Sequence, residues 1–173
     1  MSRTIVMAVL AMALLWPAAA RAQEEADRCA YLPPAVVQKR DAVRAAAAAQ
    51  DYQALSRLAD DKEFIFSFGG EGDPVPYWQG LKSSGVDIPQ IVMALLDMPC
   101  AVLRYDGGTE YVWPSANEIP YAQLTTEEID ALQAIYNGKL EDNYLEGPEA
   151  GYYVGWRLFI AEDGRWTTLV AGD

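Results

Sequence analysis

Glu71, Asp73 and Tyr77 are the side chains best placed along the chain to exchange protons, and Trp78 follows directly. They surround the run Gly69-Gly70-Glu71-Gly72 and the helix start after it. Two carboxylates and a phenol could run acid–base chemistry, for instance on a glycan, or offer oxygen ligands to calcium. A phosphate loop fits badly. Both carboxylates would face the phosphate, and the lysine and hydroxyl of the nucleotide-binding loop are missing. No EF-hand spacing occurs here or over 141–149. The plain structural role of this run is a turn needing positive φ, with Asp73 as a helix cap. No metal and no cofactor is expected.

The chain has 173 residues, with 13 basic and 25 acidic side chains, two cysteines and no histidine. Without histidine there is no Ser-His-Asp or Cys-His nucleophile and no histidine-ligated zinc or copper. Two cysteines are too few for a zinc ribbon or an iron–sulfur cluster. Catalysis would have to rest on carboxylates, tyrosines, lysines or a hard cation. The net charge of −12 argues against nucleic acid and anionic membranes. It suits a cationic partner, and solubility accounts for it equally.

The aromatic set is the second candidate feature. Tyr77 and Trp78 belong to one helix, Tyr105, Tyr111 and Trp113 to a hairpin, and Tyr152, Tyr153, Trp156 and Trp166 to another. Core packing accounts for most of them. The rest could line a cleft for a sugar or an aromatic ligand. Arg104 and Arg157 sit mid-strand, where each could anchor a carboxylate or snorkel outward. The candidate ligand-binding residues are therefore Glu71, Asp73, Tyr77, Trp78, Arg104 and Arg157.

Several elements must position them. Residues 1–22 read as a cleaved signal peptide: Arg3, an apolar run from Ile5 to Trp16, Pro17, then Ala20-Arg21-Ala22 before Gln23. The apolar run is too short to span a bilayer. Export makes the protein periplasmic or secreted, leaves 23–173 as a single domain, and favours a Cys29–Cys100 disulfide. That bond would close a loop of about 70 residues, worth roughly 4 kcal/mol in the chain-entropy model.

Helices are expected over 36–50, from Asp51 to about Leu58, from Pro74 to about Ser83, from Asp87 to Leu96, and over 125–137. The last opens on Thr125-Thr126-Glu127-Glu128, a capping box with Leu124 and Ile129 at the staple positions. Phe64, Phe66 and Phe68 alternate as in a strand. Strands over 100–105 and 109–113 flank Asp106-Gly107-Gly108, and strands over 152–160 and 165–170 flank a turn with Gly164. Residues 139–150 read as an acidic loop. Tight turns make antiparallel neighbours. The expected class is α+β: one curved antiparallel sheet of about five strands with helices on one face.

The closing hairpin, Gly155-Trp156-Arg157-Leu158 through Asp163-Gly164-Arg165-Trp166, resembles the end of NTF2-like (SnoaL-type) domains. The opening order resembles them too: a long helix, a short one with Asp51-Tyr52-Gln53-Ala54-Leu55, then a strand. That resemblance implies a cone-shaped sheet enclosing a pocket, used by enzymes and binders alike. The family's His-Asp pairing is impossible here, and two helices interrupt the middle of the expected meander. The segment FIFSFGGEGDP over 64–74, with Tyr77-Trp78, is similar to small exported alphaproteobacterial proteins without an assigned activity. The expected function is an exported, non-enzymatic domain binding a small ligand or an envelope partner. The alternatives are carboxylate–tyrosine catalysis, and an acidic interaction or inhibitory module meeting a cationic protein.

Overall fold

The computed structural model describes residues 29–59, 64–70, 72–136, 139–147 and 151–172. The signal-peptide segment 1–22 and Glu71 lie outside the described residues.

Pro34 opens helix α1, Pro34–Ala48, at the first-turn position where its missing N–H costs nothing. The helix thus starts two residues earlier than the alanine-rich pattern suggests, and it buries Val36, Val43, Ala46 and Ala47. Asp51 caps α2, Tyr52–Leu58, by accepting from the Ala54 amide at 2.9 Å. Pro74 precedes α3, Val75–Ser83, and Asp73 braces its start by accepting from the Val75 amide at 3.0 Å. Helix α4, Ile88–Asp97, is the most apolar, burying Ile88, Pro89, Val92, Leu95 and Leu96. Arg44 clamps α1 to its end, donating to the Leu96 carbonyl at 2.7 Å and pairing with Asp97 at 2.7 Å. Helix α5, Thr126–Ile135, carries the full capping box.

The sheet has four strands, β1 (Ala101–Tyr105), β2 (Gly108–Trp113), β3 (Arg157–Ala161) and β4 (Trp166–Val170). They lie in sequence order, and each neighbouring pair is antiparallel. The register places Tyr111 opposite Ile160 and Trp113 opposite Leu158. Helices α1 and α4 pack against β3. The class is α+β with an antiparallel sheet.

Two expected strands are shorter than their patterns. Residues 64–68 supply only a parallel bridge at Ile65, whose amide donates to Thr167 and whose carbonyl accepts from Leu169, both at 2.9 Å. The chain turns away at once, with Gly70 N–H donating to the Ser67 carbonyl and Gly69 at φ 84°. The closing strand begins at Arg157, not Tyr152. Residues 152–154 pair instead with 143–145: Leu145 N–H donates to Tyr152 and Val154 N–H to Asn143, both at 2.9 Å. The same pairing orders part of the expected acidic loop, which contains the 3₁₀ turn Leu140–Asn143.

Cys29 and Cys100 form the expected disulfide, with Cα atoms 5.4 Å apart. The core is aromatic around Trp78 and Trp166. Trp78 and Trp166 stack at 6.3 Å, and Phe64 meets them edge-on at 6.0 and 5.0 Å. Both tryptophans are fully buried, as are Leu158, Ile160 and Leu169 of the sheet.

Candidate functional site

Glu71 lies outside the described residues, and the five described candidates, Asp73, Tyr77, Trp78, Arg104 and Arg157, do not converge. Asp73 is exposed and holds the start of α3, also accepting from the Ser56 hydroxyl at 3.1 Å. Tyr77 is partly exposed and leans on Phe66, ring centres 5.6 Å apart. Trp78 is 0% exposed, so it presents no surface to a ligand. Arg104 stands exposed near the end of β1, opposite Thr109. Its charge reaches Tyr111, whose pKa burial nonetheless raises. Arg157 opens β3 at the other end of the sheet and is half-buried. Its guanidinium donates to the Gly172 carbonyl and, at 3.4 Å, to that of Tyr153, tying down the C-terminal segment.

A groove of about 570 Å³ opens elsewhere, between α4 and α5. Asp87, Gln90, Ile91 and Ala94 form one wall, at the i, i+3, i+4, i+7 spacing that puts side chains on one helix face. Ala131, Ala134 and Ile135 form the other at i, i+3, i+4, and Gly85, Val86, Tyr136 and Trp156 complete the lining. The hollow exists because three positions on the facing stripes, 94, 131 and 134, are alanine. A second hollow, of about 460 Å³, lies between 116–122 and 151–153.

Asp87 is the charged group of the groove. Its Oδ2 lies 3.4 Å from Lys82 Nζ, whereas its Oδ1 is buried and accepts no hydrogen bond. It precedes α4 without capping it through its side chain. Nearby, Lys82 Nζ stands 5.5 Å from the centre of the Tyr52 ring. Burial, then the Asp87 charge, raises the Tyr52 pKa, with Lys82 opposing.

Beside the groove the tyrosine hydroxyls form a closed circuit. Trp156 N–H donates to Tyr136 Oη at 2.5 Å, and Tyr153 Oη donates to the Trp156 carbonyl at 3.3 Å. That leaves Tyr136 as the donor in the 2.6 Å contact between the two hydroxyls. All three protons are committed. Burial drives the pKa of both Tyr136 and Tyr153 upward, so both stay protonated near neutral pH. A Cβ at Gly155 would collide with both hydroxyls, so only glycine fits there. Tyr144 meets the Tyr153 ring edge-on at 5.4 Å and Tyr121 at 5.5 Å, extending the aromatic wall.

The groove can therefore hold an apolar body and offer it Asp87 and Gln90 as polar contacts. It has no phenol free to exchange a proton. Among the described residues no group of three or more Cys, Asp or Glu side chains could hold a metal ion. The sequence marks Asp87 only as a helix start, and Trp156 only as one of many aromatics that could line a cleft. The available signal was the small-residue stripe at 131 and 134 on a helix with few apolar neighbours. Comparisons with protein-family models, curated proteins and solved structures give no match.

Proposed function

We propose that this chain is an exported, non-catalytic domain that binds a small ligand in the groove between α4 and α5. The observation that carries the reading is the groove's composition. Two facing apolar helix stripes and the Trp156 ring enclose a ligand-sized hollow with a carboxylate and an amide at its wall. The tyrosine circuit supports binding over catalysis, since its protons hold the Trp156 backbone in place. Export rests on the leader pattern and on the disulfide, which persists in oxidising compartments. No helix among the described residues is long and apolar enough to cross a membrane. The α+β class is compatible with an NTF2-like scaffold, and such a scaffold brings no activity with it.

Thermal unfolding of the purified protein against a panel tests the reading. The panel holds calcium, cell-wall sugars, aromatic acids, aromatic amines and bile-type amphiphiles. A ligand at a hundred times its Kd adds about 2.7 kcal/mol. Ala131→Trp fills the hollow from α5 and should abolish the shift. A shift of unchanged size in that variant places the ligand elsewhere and sinks the proposal.

A further inference from the structure

We infer that the ligand is a cation: an alkyl- or arylammonium whose apolar body lies between the alanine stripes and whose N–H groups meet the Asp87 carboxylate. This rests on the groove being the binding site, and it goes beyond that reading by naming the ligand's chemistry.

Charge points one way. Asp87 is the groove's ionisable carboxylate, and its described lining contains no lysine or arginine. An anionic ligand would find no cation on the wall and would meet the field of a chain of net charge −12. A cation is drawn by both.

The second argument is the underused carboxylate. Asp87 Oδ1 is buried, accepts nothing and lies out of a ligand's reach, so Oδ2 is the oxygen that would meet one. Oδ2 has a long, 3.4 Å contact to Lys82, whose own side chain is half-exposed. So long a contact offsets the charge weakly and leaves Oδ2 room for a closer donor. An ammonium supplies up to three donors from a compact head. The remaining lining is apolar at Ile91, Ala94, Ala131 and Ile135, which calls for a hydrocarbon body and not a polyhydroxylated one.

Isothermal titration of the protein with 2-phenylethylammonium, 2-phenylethanol and 3-phenylpropionate, in about 0.15 M salt, separates charge from shape. The ammonium should bind, the alcohol should bind about tenfold or more weakly, as expected for a lost charge-assisted hydrogen bond, and the carboxylate should give no heat. Asp87→Asn should erase the difference between ammonium and alcohol. Lys82→Met removes the competing cation without touching the groove wall and should tighten ammonium binding several-fold. It keeps the test decisive should the Asp87 variant fold poorly. Ala131→Trp should abolish binding of every probe. Equal affinity for the three probes, lost in Ala131→Trp, overturns the cation assignment and leaves the groove standing. The cation assignment falls in the same way if only neutral or anionic members of the wider panel bind in an Ala131-dependent way. Binding that survives Ala131→Trp, or no binding by any compound, overturns both.

Discussion

Tyr136, just past the end of α5, and Tyr153, just before the closing hairpin, hold their hydroxyls 2.6 Å apart. Through them the backbone N–H and carbonyl of Trp156 are both satisfied without a strand partner. A chain segment that leaves the sheet must find such partners or forfeit the hydrogen bonds. Here the two phenols supply them, and the Trp156 ring is thereby fixed beside the groove.

Removing one hydroxyl should therefore cost more than one hydrogen bond. Tyr136→Phe leaves the Trp156 N–H without an acceptor and Tyr153 without its donor, at a cost of about 1–3 kcal/mol. Tyr153→Phe strands the Tyr136 proton in the same way. The double variant should cost clearly less than the two together, because the circuit is already open after the first cut. Urea unfolding of the four proteins measures this. Strict additivity would mean that the hydroxyls act separately.

Alkaline pH should attack the same place. Burial is the leading cause that raises the pKa of Tyr136, Tyr144 and Tyr153 in the folded chain. Unfolded tyrosine titrates near pH 10. A raised folded pKa means that the unfolded state loses its proton first. The stabilisation is complete below about pH 10 and is lost as pH rises beyond it, by up to about 1.4 kcal/mol per pH unit for each tyrosine. Unfolding free energy measured from pH 8 to 12 should be level at first and then fall. The fall should be shallower in Tyr144→Phe. A curve that stays level to pH 12 would remove the buried-phenol account.

Much of the local structure is legible in the residues. Thr125 and Glu128 announce the start of α5, Asp51 that of α2, and the two cysteines their own bond, because each is a short-range or compositional rule. The pattern Phe64, Phe66, Phe68 is misleading for a physical reason. Phe64 packs edge-on against the two stacked tryptophans, and Phe66 is buried against Tyr77, while Phe68 is 59% exposed. Alternation there records the tryptophan cluster, not a ladder of backbone bonds. The groove escapes because its walls come from α4 and α5, with β1 and β2 between them in the chain. No local pattern places Ala94 opposite Ala131.

Glu128 joins cap and core, and its loss should be felt at both. It is 4% exposed, accepts from Ser115 Oγ at 2.6 Å with one oxygen and from Thr125 N–H at 2.8 Å with the other. Glu128→Ala orphans both donors and empties part of the space beneath α5, a cost of about 2–4 kcal/mol. Ser115→Ala removes one neutral donor and leaves the capping box closed, so it should cost about 1 kcal/mol or somewhat more. Equal losses in the two variants would mean that the box contributes nothing beyond its link to Ser115. Chemical denaturation of both reads the difference.

Reduction should weaken the whole domain, not merely release one end. Cys29 and Cys100 are 71 residues apart in sequence, and the segment between them holds α1 to α4. Closing so long a loop removes freedom chiefly from the unfolded chain, worth about 4 kcal/mol. Native contacts at the junction add to it: Cys29 N–H donates to the Cys100 carbonyl at 3.0 Å, and Cys100 is buried beside β1. Cleaving the bond leaves those contacts possible but no longer enforced. Full reduction should lower Tm by roughly 10 °C or more for a domain of this size. The Cys29→Ser/Cys100→Ser double variant should melt at the reduced protein's temperature and ignore reductant. The drop should appear as one cooperative shift reported alike by far-ultraviolet circular dichroism and by tryptophan fluorescence, since Trp78 and Trp166 stack fully buried in the core. A fully reduced protein that melts at the oxidised temperature would show that the unfolded chain is already constrained there without the bond.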